Sequence, residues 1–296
     1  MLNDVGALLA AEPLFLGIVL ALLGLTVGSF LNVVILRLPA MLQRGWTRDC
    51  RALLEIEAPA DGPAQERFSL AFPASHCPEC KSALRPWHNV PVISYLFLRG
   101  RCAFCASPIG LRYPAVETLT AALSVLVGLA VPWSLSLLAF LLLTWSLIAL
   151  AVIDIDTQLL PDDITLPLLW GGLAFNLATG TVPIADAVLG AMAGYLLLWS
   201  IYWLFRLVTG KEGMGYGDFK LLAALGAWMG WQSLGLIILM SSAVGAVLGI
   251  LILSLRGQSR SQPLPFGPYL AAAGWIVLLW GDELRRLLGF GAVGLL

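Results

Sequence analysis

Charge is what this chain lacks. Of its 296 residues only 12% are Asp, Glu, Lys or Arg, against 59% in the hydrophobic set, and mean hydropathy is +0.88. A soluble domain typically carries about 25% charge and about 45–50% apolar residues. The shortfall all but excludes a soluble globular enzyme, and the apolar excess excludes disorder. The first apolar run has neither a basic segment before it nor a small-residue cleavage site after it. Residues 13–36 are therefore expected to be a retained helix rather than a removed signal. No internal repeat and no low-complexity tract stand out. The expected surroundings are a lipid bilayer, with no nucleic-acid partner.

What is present are long uncharged runs. Residues 118–153 make one of 36 residues. At about 1.5 Å per residue that is too long for one crossing of a roughly 30 Å core. Pro132 divides it, and two helices are predicted to meet near 131–134. Residues 164–185 and 187–205 give two more. The 35 uncharged residues 221–255 divide at Gly230-Trp231, the first part starting near Asp218. Residues 261–281 give the last. With 13–36, the expected fold class is an all-α polytopic membrane protein of about eight transmembrane helices.

The few charges fix an orientation. Residues 37–113 hold ten of the 17 basic residues and six of the 18 acids, a net charge of 10 − 6 = +4. The rest of the chain is net 7 − 12 = −5. The positive-inside rule places the island in the cytoplasm. Eight crossings then put both termini outside and 15 of the 17 basic residues inside. The predicted organisation is an N-terminal transmembrane helix (1–36), a small cytoplasmic insert (37–113) and a seven-helix membrane domain (114–296). Residues 55–66 read as a flexible loop within the insert.

Four of the five cysteines form two pairs, Cys77-Pro-Glu-Cys80 and Cys102-Ala-Phe-Cys105, with 21 residues between them. This is close to zinc-ribbon spacing, one residue beyond its usual upper limit. Each short loop aims two thiolates at one tetrahedral ion. The cytoplasm is reducing, which disfavours disulfides. Free thiols or a redox CxxC remain the competing readings. Four thiolates leave no open position, so the expected zinc is structural. His76 adjoins Cys77 but is not needed as a ligand, His88 reads as a loop residue, and Cys50 as a lone thiol.

Acids at membrane depth are costly and read as functional by default. Asp154 ends the third predicted helix, and Asp218 follows Gly213-Met-Gly215-Tyr-Gly217. Both lie at predicted cytoplasmic ends, so they are able to meet. Two carboxyls about 3 Å apart share one proton, one acting as base and the other as acid. That suits peptide hydrolysis. Gly213, Gly215 and Gly217 permit backbone geometries closed to other residues, and let an extended substrate approach Asp218. Blander readings stand beside these. Asp162 and Asp163 follow Pro161 and are expected mainly to cap the fourth helix. Asp156 reads as an interfacial charge, and Glu117 as an acid near a helix start. Gly245 and Gly249 form a GxxxG packing face. No strand precedes the glycine motif, which argues against a nucleotide loop.

These residues resemble the type IV prepilin peptidases of bacteria, aspartic membrane proteases with a Gly-x-Gly-Asp motif. The resemblance runs along nearly the whole chain. It includes Gly28-Ser-Phe-Leu-Asn-Val-Val-Ile-Leu-Arg-Leu-Pro39, the cysteine tetrad, and the stretch from His88 to Leu98-Arg-Gly-Arg-Cys102. Then come Arg112-Tyr-Pro-Ala-Val-Glu117, Ile153-Asp154, Leu160-Pro161-Asp162, Gly215-Tyr-Gly217-Asp218 and Pro265-Phe-Gly-Pro268. The resemblance implies an enzyme that cuts prepilins and pseudopilins after a glycine, on the cytoplasmic side of the inner membrane. It then methylates the new N-terminal residue with S-adenosylmethionine. The catalytic pair carries over to Asp154 and Asp218, the zinc set to Cys77, Cys80, Cys102 and Cys105, and a link to methylation to Gly100. Two rival readings are a polyprenyl-phosphate phosphotransferase with Asp162-Asp163 as its Mg²⁺ pair, and an ion-coupled transporter.

Overall fold

The computed structural model describes residues 12–56, 68–256 and 265–289, and contacts divide the chain into units 1–137 and 138–296. Among the described residues there is no strand, only two isolated bridges.

The first unit opens with α1 (Pro13–Leu53), 41 residues long. At ~1.5 Å per residue it is about twice the length that crosses a bilayer core. It was expected to stop at residue 36. Beyond that point it carries Arg37, Arg44, Arg48 and Arg51, and arginine is a good helix former. The loss of hydropathy marks the end of the apolar run, not of the helix. The other helix of this unit is α3 (Arg112–Ala130). The two pack through Gly24 and Gly28: a Cβ on Gly24 would stand 2.6 Å from Ala121 Cα, and one on Gly28 2.7 Å from Glu117 Cα. This is a small-xxx-small face of the kind that joins helices in lipid.

Between them lies the cysteine region, with a 3₁₀ turn (Pro86–Asn89) and a short helix, α2 (Ile93–Phe97). It contains a repeat that the sequence reading missed. Cys77 N–H donates to Ser82 O at 3.0 Å, and Cys102 N–H to Ser107 O at 2.8 Å. Lys81 N–H returns to Cys77 O, and Ala106 N–H to Cys102 O, both at 3.0 Å. Lys81 and Ala106 share a φ of 58°. The bridges His76–Ala83 and Arg101–Pro108 close both turns. Only cysteine and serine recur at matching positions, so the repeat is one of backbone and escapes a search by side chain. The predicted loop 55–66 lies, from residue 57 on, outside the described residues.

The second unit is built around α7 (Tyr216–Met229), whose residues from Phe219 on are buried almost without break. A helix apolar on all sides belongs in a core. At 14 residues, about 21 Å, it is shorter than a bilayer core. Around it stand α4 (Leu135–Thr157), α5 (Asp162–Thr179), α6 (Ile184–Thr209), α8 (Leu234–Arg256) and α9 (Gly267–Leu287). Glycines let α6 and α7 meet backbone to backbone. Gly190 lies against Gly226, and a Cβ on Gly194 would fall 2.6 Å from Leu222 O. Asn176 of α5 closes the far end of α7, donating to Ala227 O at 2.8 Å and accepting from Val182 N–H at 3.1 Å. Trp228 stacks on Phe175 and donates to Leu168 O at 2.8 Å. Losing one such buried partner costs about 1–3 kcal/mol.

The fourth and fifth predicted helices change their bounds. The run 164–185 ends early because Gly180, at φ +67°, caps α5 in the left-handed region, and Pro183 precedes α6. The helix predicted over 187–205 extends to Thr209, ending at Gly210. Asp162 and Asp163 do not cap α5. Its N-cap is Pro161, with no side-chain cap, and both acids sit in the first turn, where the helix dipole favours them. Of the GxxxG pair, Gly245 meets the Tyr269 ring, while the side-chain surroundings of 249 lie outside the described residues.

Among the described residues, five helices are long and apolar enough to cross a membrane: α1, α3, α4, α6 and the stretch Trp231–Leu248, which covers most of α8. That supports a polytopic membrane protein, with five spans by this measure rather than eight. Of the remaining predicted spans, α7 has only 14 residues, and α5 and α9 carry acids near one end.

Candidate active site and metal centre

The two sequence-selected acids lie together in the second unit. Asp154, in the last turn of α4, is 5% exposed, and Asp218, in the first turn of α7, is 6% exposed. The two carboxyls lie close enough to interact. Their supports also converge. Gly267 N–H donates to Asp154 Oδ2 at 3.0 Å. A Cβ on Gly267 would stand 2.7 Å from that oxygen and 3.2 Å from Leu160 Cδ1. A Cβ on Gly217 would stand 2.7 Å from Leu160 Cβ. Leu160 thus wedges between the glycine that holds Asp154 and the glycine that precedes Asp218. Asp218 Oδ1 is buried with no hydrogen-bond partner. A buried carboxyl oxygen left unsatisfied is costly, and such groups cluster where chemistry requires them.

The glycine motif works by room rather than by special backbone. Positive φ is found at Gly100, Gly180, Gly210, Gly230 and Gly289, and not at Gly213, Gly215 or Gly217. Gly213 lies against the Phe205 ring, with a would-be Cβ 2.9 Å from Cδ1, and Gly217 against Leu160. Gly215 has open space around it, its nearest neighbour being Gly217 N at 3.9 Å. Sequence reasoning missed Gly267, although its motif was noticed. A backbone amide leaves no side-chain signature.

Asp162 is drawn into an ion pair. Lys220 Nζ donates to both its oxygens at 2.7 Å, joining the start of α5 to α7. This takes support from the reading of Asp162-Asp163 as a Mg²⁺ pair. Glu117 is buried within α3, and its Oε2 accepts the Val92 N–H at 2.7 Å.

The cysteine repeat brings its four sulfurs within 4.8 Å of one another, with Cys77 and Cys105 Sγ 3.8 Å apart. Corners of a tetrahedron about 2.3 Å from a central zinc stand roughly 3.8 Å apart, so the set fits that ion. No disulfide links them. The Cys80 backbone N–H holds the Cys77 thiol low, at about 6, and the Ser107 hydroxyl lowers Cys105. Cys102 is raised: the Cys105 and Phe104 amides favour its thiolate, but burial and the neighbouring Cys77 and Cys105 oppose it. Were all four ionised, sulfurs this close would need a cation among them. Gly100 opens the second turn, at φ +68°, with its would-be Cβ 2.7 Å from Tyr95 Oη.

A pair of buried carboxyls in an apolar helical domain is the equipment that an aspartic peptidase of the membrane requires. Residues 22–131 match the bacterial peptidase A24 N-terminal domain, and residues 141–250 match the type IV leader peptidase family. A protein of Aeromonas salmonicida (strain A449), named prepilin leader peptidase/N-methyltransferase, is 56% identical over 90% of this chain and 91% of its own. Proteins of the same name are 54% identical in Pseudomonas putida, over 95% of this chain and 98% of theirs, and 48% identical in Burkholderia pseudomallei (strain K96243), over 96% and 92%. No solved structure matches. The chain belongs to the type IV leader peptidase family.

Proposed function

We propose that this protein cleaves the leader peptides of type IV prepilins and pseudopilins after a glycine, and methylates the new N-terminus. The observation that carries the peptidase half is the buried pair Asp154 and Asp218, the latter with an oxygen that has no partner. One carboxylate takes a proton from water as it attacks the scissile carbonyl, and the other gives a proton to the departing amine. The Gly267 amide holds Asp154 in position, which favours Asp154 as the fixed partner and Asp218 as the one that exchanges protons. The open backbone at Gly215 leaves room for an extended peptide beside the pair.

The enzyme lies in the bacterial inner membrane, with residues 37–113 and the dyad on the cytoplasmic side. The three helices below the length and hydropathy of a span complete eight crossings with the help of their neighbours. The tetrad Cys77, Cys80, Cys102 and Cys105 holds a structural zinc with no open coordination position. S-adenosylmethionine supplies the methyl group when bound, and Gly100 serves that half of the reaction.

The test is incubation of the purified protein with a candidate prepilin and S-adenosylmethionine. A shortened, methylated product is expected, and Asp154→Asn or Asp218→Asn abolishes the shortening. Wild-type cleavage by either variant sinks the dyad.

A further inference from the structure

The first unit contains a partly open cavity of about 340 Å³. Among the described residues, its wall is drawn from 29–117: the middle of α1, the cysteine region and the start of α3. Pockets of about 300–1,000 Å³ hold small organic ligands. Three features of the wall describe the ligand. Glu117 brings a carboxylate that is only 8% exposed, with the Val92 amide and the Ser29 hydroxyl beside it. Among the described residues it forms no ion pair. Arg37 lines the same cavity, but its guanidinium is committed to the Ser69, Leu70 and Pro73 carbonyls. A buried carboxylate without a counter-ion is costly, and a bound cation offsets that cost. Tyr95 and Tyr113 add aromatic rings, whose faces attract cations lacking N–H groups as well as those that have them. His88 contributes a buried Nδ1 with no hydrogen-bond partner, which a polar ligand edge would satisfy.

We propose that this cavity binds the sulfonium methyl donor, S-adenosylmethionine, with Glu117 as counter-charge to the sulfonium. The inference rests on the methyl-transfer half of the function proposed above, and gives it a place. The ligand is a fixed cation attached to a flat heterocycle and a sugar. It matches a wall that combines one carboxylate, aromatic rings and an unsatisfied ring nitrogen. The cavity also gives Gly100 a physical role. Gly100 does not line it, yet any side chain there runs into the Tyr95 hydroxyl, and Tyr95 does line it. A change at Gly100 therefore reshapes the cavity at one remove.

The experiment measures binding to the full-length, zinc-loaded protein in detergent by calorimetry, with two probes. S-adenosylmethionine carries the charge. S-adenosylhomocysteine has the same outline without it. Glu117→Gln is expected to weaken the first at least tenfold and the second less than threefold. Ser94→Trp, which fills the cavity from α2, is expected to abolish uptake of both while the thermal midpoint stays within a few degrees. Equal weakening of both probes by Glu117→Gln removes the counter-charge role. Unchanged binding of both probes in both variants, with wild-type methylation intact, overturns the cavity assignment and leaves the proposed function standing. A wild-type protein that cuts prepilin but takes up neither probe overturns the methyl-transfer reading itself.

Discussion

The two units hold themselves together by different means. In the second, helices approach through glycine until backbones touch, and one short helix is enclosed on nearly every side. Its stability lies in packing. In the first, two helices share a glycine face, but the segment between them has almost no core. Among residues 68–111 the buried side chains are cysteines, Cys77 and Cys102. That segment is left with its paired turns and a cluster of four sulfurs able to hold an ion. The contrast teaches that one chain can combine a frame held by close helix packing with one that has little packing beyond two turns and a cysteine cluster. Each can then be broken separately.

The largest break is chemical. Asp154→Asn or Asp218→Asn is expected to lower prepilin cleavage by a factor of about 10²–10⁴ or more, the usual worth of a positioned acid or base. Uptake of S-adenosylmethionine is expected to stay unchanged. A gel of cleaved substrate and a binding isotherm read the two sides together. Next comes packing. Gly226→Val places a side chain against the Gly190 carbonyl in the second unit, where overpacking costs about 1–3 kcal/mol or more. The thermal midpoint in detergent should fall by many degrees, while the zinc content of surviving protein stays the same.

The staple follows. Metal analysis should find about one zinc per chain. A strong chelator, or Cys77→Ser, should remove it and abolish methylation at doses that leave much of the cleavage intact. Simultaneous loss of both activities would show that the second unit leans on the first. Gly100→Ala should reduce methylation more than cleavage, through Tyr95. The smallest effect belongs to Lys220→Met. The Lys220–Asp162 pair is partly exposed, and such pairs contribute about 0–1 kcal/mol. A loss of cleavage greatly exceeding the loss of stability would mark Lys220 as positioning the first turn of α7.

The sequence pointed to helices where uncharged runs end at charge, proline or glycine, and to Asp154, Asp218 and the tetrad as candidates through their chemistry. It hid three kinds of feature. A helix that outlives its apolar run, as α1 does past Leu36, leaves no hydropathy mark. Backbone contributions such as the Gly267 amide and the paired turns at 77–82 and 102–107 have little side-chain signature. Glycine faces were visible in principle, since Gly24–Gly28 and Gly190–Gly194 both have GxxxG spacing. The pair noticed was Gly245–Gly249, because uncharged runs give no hint of which face meets another helix.

The brevity of α7 has a consequence for how the protein is made. Its 14 residues begin beside an acid and fall short of a bilayer core. Such a segment has little reason to leave the translocation channel for lipid by itself. The α6 helix emerges just before it, is long and apolar enough to span, and carries the glycines against which α7 fits. Insertion is thus expected as a hairpin, with α6 escorting α7 into the bilayer. The Asp218 carboxyl would then never have to face hydrocarbon unaccompanied.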